Sequence, residues 1–385
     1  MANYRLQWVL RGHKGPINCV DFTDDGVALA SGADDGHVVV WSLADGELSR
    51  RLRPKQGPVV SLRWLPSMRT KPDYLLLLGG ADGTIQVWRI SHNLEYSERL
   101  AAHTTLQGSV EDITINDSGS LIVVTGAGRA VIFAVTIDIK CPIKFISSEP
   151  PFSQASLPAV MRNGHFFNED TSVMLTFLDA KEVMAWNVSP WKFLWRHKLQ
   201  TRIGCSAWNE AARTLLVWNL YDGIDIYHLK DDPTNRLELV RKLRVKVKVN
   251  RINLVRFDTS GKVAISGSDN GEVYLWEIKS GQRIQTLTHE KEMYAVQTIA
   301  CHSPQHAKHW IASAGSDSND ERPCVMIWTT QGNRLPVNCA GVGIQANKEA
   351  RGNRGGCSTA SLMWLLAGLT VISLALYVQW KYQLH

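Results

Sequence analysis

The chain has 385 residues, 44% hydrophobic and 20% charged, with 42 Lys and Arg against 36 Asp and Glu. That balance excludes a disordered polar chain and leaves ample length for a large buried core. The seven cysteines are scattered and include no Cys-x-x-Cys, which argues against a disulfide framework or zinc ribbon and for a reducing compartment.

In chain order, the first residues carry no apolar h-region, so no secretory signal is expected. Tyr4 to Leu10 alternates polar and apolar residues and predicts a strand. Gly12-His13 precedes a short apolar strand, Ile17 to Phe22. Ala30 to Trp41 then reads as strand, tight turn, strand: Asp35-Gly36 supplies the turn and a β-branched run ends on an aromatic. The same signal recurs with closing aromatics at Trp88, Phe133, Trp186, Tyr227, Trp276 and Trp328, a spacing of roughly 40–50 residues. Copies one, two, six and seven are regular and three to five diverge, so a count of six stays open beside seven. In the second copy, counting back from Trp88 puts Lys55 and Leu78 where the first copy has His13 and Ser31. In the sixth, the turn residue is Asn270 or Asp269.

This order resembles the WD40 repeat family, marked by an early Gly-His and a late Trp-Asp; here the first copy ends on Trp41-Ser42. The resemblance covers Tyr4 to Trp328. It implies an all-β, seven-bladed propeller over residues 1–332, with Tyr4 to Leu10 pairing beside the strand that ends at Trp328. It also implies a buried structural tetrad of His13, Ser31, Asp35 and Trp41. Propellers of this family bind protein or peptide ligands on the face that carries the Gly-His loops and the Asp-Gly turns. On that face Lys14, His37, Lys55, Arg129 and Asp317 are candidate contacts, each of which could equally be a plain loop residue.

Beyond the repeats, residues 333–358 are rich in Gly, Asn and small residues and read as a flexible linker. Residues 359–380 carry no charge and are long enough for a transmembrane helix, with Trp364, Tyr377 and Trp380 toward the ends. The alternative is a buried core helix. Residues 381–385 form a short tail. The expectation is a tail-anchored, single-pass protein with a cytosolic propeller. Endoplasmic-reticulum or secretory membranes are favoured over the mitochondrial outer membrane.

From Arg236 to Arg251 there are seven Lys or Arg and one Glu. At strand period Lys242, Arg244, Lys246 and Lys248 would share one face of the outermost strand of blade five. They read either as an edge protected by lysine or as a contact for an acidic partner or anionic lipid. Without interleaved aromatics, nucleic acid is not favoured. Cys301-His302 and His306 to His309 lack a second ligand pair and read as a solvated loop, so no metal is expected. With no phosphate loop, His-Glu-x-x-His or Gly-x-Ser-x-Gly elbow, neither cofactor nor enzyme activity is expected. The reading is a membrane-tethered interaction scaffold. As the alternative, the chain is similar in layout to single-span propellers of the endoplasmic reticulum that act as guanine-nucleotide exchange factors for a small GTPase of vesicle coat assembly.

Overall fold

The computed structural model describes residues 3–66, 73–104, 106–136, 138, 142–148, 160–232, 235–289, 295–303, 309–315 and 323–330. These form seven four-stranded antiparallel sheets. The first strand is β1 (Arg5–Arg11). Blade one follows as β2 (Ile17–Phe22), β3 (Ala28–Ala33), β4 (Val38–Ser42) and β5 (Leu48–Leu52), and blade two as β6 (Val59–Trp64), β7 (Tyr74–Gly80), β8 (Thr84–Ile90) and β9 (Ser97–Thr104). Blade three is β10 (Val110–Ile115), β11 (Leu121–Gly126), β12 (Arg129–Val135) and β13 (Ile143–Ser148); blade four is β14 (Met161–Phe167), β15 (Ser172–Phe177), β16 (Glu182–Val188) and β17 (Trp191–Lys198). Blade five is β18 (Cys205–Asn209), β19 (Thr214–Trp218), β20 (Gly223–Leu229) and β21 (Leu237–Arg244); blade six is β22 (Val255–Phe257), β23 (Val263–Ser266), β24 (Glu272–Glu277) and β25 (Arg283–Thr288). Blade seven is β26 (Val296–His302), β27 (Trp310–Gly315) and β28 (Cys324–Thr329), completed by β1.

The copies that diverge in sequence are therefore full blades. Strand β1 pairs antiparallel with β28, Leu6 opposite Trp328 and Leu10 opposite Val325, so both ends of the propeller share one sheet. In every blade a β-bulge falls at the closing aromatic, between the third and outermost strands: at Trp41, Trp88, Phe133, Trp186, Tyr227, Trp276 and, opposite β1, Trp328. A bulge adds twist, and the large ring sits where the sheet bends.

The core is a set of seven apolar clusters, each shared by two neighbouring blades. Blades seven and one, for example, meet through Leu10, Ile17, Val39, Trp310 and Ile327. Trp8 stacks on Trp310 with ring centroids 5.6 Å apart. The Asp-Gly turns need glycine where they meet the connection into the next blade. Gly83 has φ +81°, and a Cβ there would lie 2.1 Å from the Leu106 carbonyl oxygen.

No helix of the described residues is long and apolar enough to cross a membrane. The linker at 333–358, the expected span at 359–380 and the tail at 381–385 lie outside the described residues.

Candidate functional site: the loop face and the central channel

The connections that lead into each innermost strand and the turns between the second and third strands lie on one face. Backbone bonds tie them together: the Asp34 amide donates to Pro16 O, Ala81 to Pro58 O and Val245 to Asp222 O. In blade one the turn carboxylate organises this contact. Asp35 accepts from the His13 ring at 3.2 Å, the Lys14 amide at 2.8 Å and the His37 amide at 3.0 Å. His13 Nε2 lies 2.8 Å from Ser31 Oγ, and Trp41 Nε1 donates to the same oxygen at 2.9 Å. An ionised carboxylate can only accept, so Nδ1 donates to Asp35 and Nε2 accepts the Ser31 hydroxyl proton. Burial alone would raise the Asp35 pKa; the His13 bond and the two amides outweigh it and hold Asp35 well below the usual carboxylate range.

Other blades solve the same problem differently. Blade seven repeats the pattern, with Ser313 Oγ at 2.8 Å from His289 Nε2 and 2.9 Å from Trp328 Nε1. In blade two, Trp88 donates to Gln86 Oε1 at 3.0 Å, and Gln86 Nε2 donates to Pro54 O at 2.9 Å. In blade five, the fully buried Asp225 accepts from Asn219 at 2.9 Å, Thr201 at 3.1 Å and Lys242 at 3.2 Å. In blade six, Lys248 stands eighteen residues before Ser266, the separation that places His13 before Ser31. Ser266 Oγ and Trp276 Nε1 are buried there without a hydrogen-bond partner. The turn residue is Asn270, bonded to Ser268 and Tyr274.

The basic run needs a correction. Strand β21 ends at Arg244, so the four cations do not share one strand face. Lys242 reaches inward to Asp225, and Arg244 pairs with Asp222. Lys246 and Lys248 are exposed on the connection to blade six. The amides of Lys248 and Val249 donate to Asp269 Oδ2, the latter at 2.6 Å, which aligns this connection with the blade-six turn. Lys14 and Lys55 are exposed on the same face. His37 is half-buried, with Nδ1 2.8 Å from its neighbour Asp35 O. Arg129 is half-buried at the start of β12. Asp317 and residues 304–308 lie outside the described residues. No group of three or more His, Cys, Asp or Glu able to hold a metal occurs among the described residues.

Inside the ring, the innermost strands line a cavity of about 450 Å³ that holds Arg63, Arg162, Arg256, Glu111 and Asp112. Arg162 pairs with Glu111 and donates to Gly204 O at 2.9 Å. Arg63 lies 3.6 Å from Asp112, which also accepts from Asn163 at 3.0 Å. Burial raises the Asp112 pKa, but Arg63 and Arg256 outweigh it and lower it. At Asp21 burial outweighs Arg63 and the pKa rises. His165 lies 2.8 Å from Ser206 Oγ, a spacing that suits a nucleophile and base, but both are buried and neither lines the channel cavity. Burial lowers the His165 pKa to about 4, so the ring is neutral and structural.

Sequence reasoning missed Gln86, Asp225 and the channel arginines. The signal for two of them was present: Arg63 between Leu62 and Trp64, and Arg256 between Val255 and Phe257, are lone cations in apolar strands.

Among known proteins, residues 4–42 and 239–277 match the family model described as WD domain, G-beta repeat. Each segment begins on the outermost strand of the preceding blade, so the sequence repeat is offset from the sheet by one strand. The chain is 32% identical over 83 residues to apoptotic protease-activating factor 1 of Homo sapiens, covering 21% of this chain and 7% of that protein. It is 32% identical over 97 residues to Elongator complex protein 2 of Saccharomyces cerevisiae, covering 24% of this chain and 11% of that protein. The chain thus matches only a small part of the length of these curated relatives.

Proposed function

We propose that this seven-bladed propeller, which matches the WD domain model over residues 4–42 and 239–277, is an interaction scaffold binding a protein or peptide partner on its loop face, held at a membrane by residues 359–380. The observation that carries the scaffold is the contrast between the two kinds of polar group. Sets such as His165–Ser206 and Asp225–Asn219 are buried and bonded within the fold, whereas Lys14, Lys55, Lys246 and Lys248 stand exposed on one face. A rigid ring with exposed loops suits recognition. The relative named for the Elongator complex is, by its name, part of an assembly.

The tether rests on an uncharged segment of bilayer-spanning length after a glycine-rich stretch with Lys348, Arg351 and Arg354. It raises the local concentration of whatever the propeller binds. The location we propose is the endoplasmic reticulum or secretory membranes, with the propeller in the cytosol. Proximity labelling from the intact protein tests partner and location together: reproducible protein neighbours at those membranes are expected, and none would sink the scaffold. A chain ending at Arg354 is expected in the soluble fraction while the full chain resists a carbonate wash. If the shortened chain also resists it, the anchor lies elsewhere. Nucleotide release from small GTPases of vesicle coat assembly should not be stimulated; stimulation would make the protein an exchange factor.

A further inference from the structure

We infer that the partner presents an acidic segment to the loop face and that one of its carboxylates enters the channel to meet Arg256. The inference rests on the scaffold reading and names the chemistry of its partner.

Of the channel's three arginines, Arg162 pairs with Glu111 and Arg63 lies 3.6 Å from Asp112. Arg256 has no carboxylate within ion-pair distance among the described residues: Asp112 and Asp21 feel its charge only from farther away, and its Nη1 donates to the neighbouring Val255 carbonyl at 3.1 Å. The cavity it lines is about 450 Å³, within the range of ordinary ligand sites of roughly 300–1,000 Å³. Thr298 lines the same cavity from the adjoining blade, fully buried, with no partner for its hydroxyl. A guanidinium short of a carboxylate and an unsatisfied hydroxyl donor in one cavity are complementary to a carboxylate oxygen.

The rim points the same way. Of the face carboxylates, Asp35 is held by His13, Asp222 by Arg244, Asp179 by Arg202 and Asp269 by two backbone amides, while the exposed Asp34 and Asp82 accept from Asn18 at 2.7 Å and from the Thr84 amide at 2.9 Å. The exposed lysines 14, 55, 246 and 248 have no carboxylate within ion-pair distance among the described residues. The backbone bonds that tie the Lys14 and Lys248 amides to Asp35 and Asp269 fix where these two side chains leave the ring. Such a rim steers an acidic segment in, and the interior arginine fixes its register. A bilayer surface meets the rim but cannot follow into a channel lined by innermost strands. The cavity lining includes no aromatic ring on which a nucleic-acid base would stack.

The test uses the full-length chain in neutral detergent and a fluorescein-labelled Glu-rich peptide, with its Gln counterpart as control, read by anisotropy. The Glu peptide should bind and the Gln peptide should not. Arg256→Gln should weaken binding about 30-fold or more, as loss of a desolvated charge partner does. Arg256→Lys should recover part of it. Lys14→Gln with Lys248→Gln should weaken binding a few-fold by slowing association, and should flatten its salt dependence. Thermal melting of each variant checks that the ring is intact; if Arg256→Gln does not fold, Arg256→Met, which keeps the stem, carries the comparison. Equal binding of both peptides, binding of neither, or indifference to Arg256 overturns the inference. So does Arg256-independent binding confined to phosphatidylserine vesicles. If these outcomes coincide with proximity-labelled partners that Arg256→Gln retains, the scaffold stands and only the acidic chemistry is lost.

Discussion

Ser31 takes one hydrogen bond and gives another without seeing solvent. Ser31→Ala leaves the Trp41 N–H and one His13 nitrogen unpaired in the interior, at about 1–3 kcal/mol each. Denaturant unfolding should show a loss of about 3 kcal/mol. Ser266 is the control, since its hydroxyl is buried with no partner. Ser266→Ala should be neutral within about 0.5 kcal/mol or stabilising. Equal losses at both sites would refute the difference between blades one and six. The buried histidines make stability depend on pH. Burial lowers His289 from 6.5 to about 4, and His165 likewise. The unfolded chain takes up these protons near pH 6.5 and the folded one only near pH 4. Their stabilisation is therefore complete above pH 6.5 and erodes as pH falls toward 4, by up to about 1.4 kcal/mol per pH unit for each ring. Asp21, raised by burial, acts in the opposite sense, so the clean measurement is a difference. Urea unfolding of His289→Asn should have a shallower pH slope between pH 6 and 5 than the parent, and an unchanged slope would contradict the assignment. The blade-one tetrad was legible because its four residues stand in their expected order. Gln86 and Asp225 were not, because each enters from the third strand, where sequence order gives no sign that its side chain replaces a missing hydroxyl or ring.

Strand ends decide what the basic run does. Alternation from Lys242 to Val249 suggests one continuous strand, but pairing with β20 stops at Arg244 opposite Gly223. Beyond it the chain must cross to blade six, and the Val245 amide turns to Asp222 O. Period-two alternation records which faces are apolar, not where a hydrogen-bonding neighbour runs out, so the strand was legible and its end was not. Lys242 thereby becomes an inward partner of buried Asp225, while Lys246 stays in solvent. Removing one partner of a buried pair leaves an uncompensated charge. Lys242→Met should cost about 2–3 kcal/mol, less than at a fully buried pair because solvent reaches part of Lys242. Lys246→Met should stay within about 0.5 kcal/mol of the parent. Thermal unfolding of the two variants side by side checks the assignment, and equal melting temperatures would refute it.

A closed ring ties the extremes of the propeller to its centre. Each blade packs its apolar faces on both neighbours, so no blade holds a complete core of its own. The recurrence of closing aromatics made this circular order legible, and the alternation in Tyr4 to Leu10 pointed to the strand that seals it. The channel was not legible: Arg63, Asp112, Asn163 and Arg256 come from four blades, and only closure gathers them around one cavity. Removing residues 1–11 deletes the strand opposite β28, takes Leu10 out of the cluster between blades seven and one, and unstacks Trp8 from Trp310. The Leu10 side chain alone is worth about 2–5 kcal/mol as an alanine substitution. The shortened chain should therefore lose its single cooperative unfolding transition, with amide exchange rising first in blades seven and one. If the channel exists only in the closed ring, Arg256-dependent binding of an acidic peptide should be lost in the same chain. A shortened chain that still unfolds in one step and still binds through Arg256 would mean that six interfaces hold the circle without the seventh.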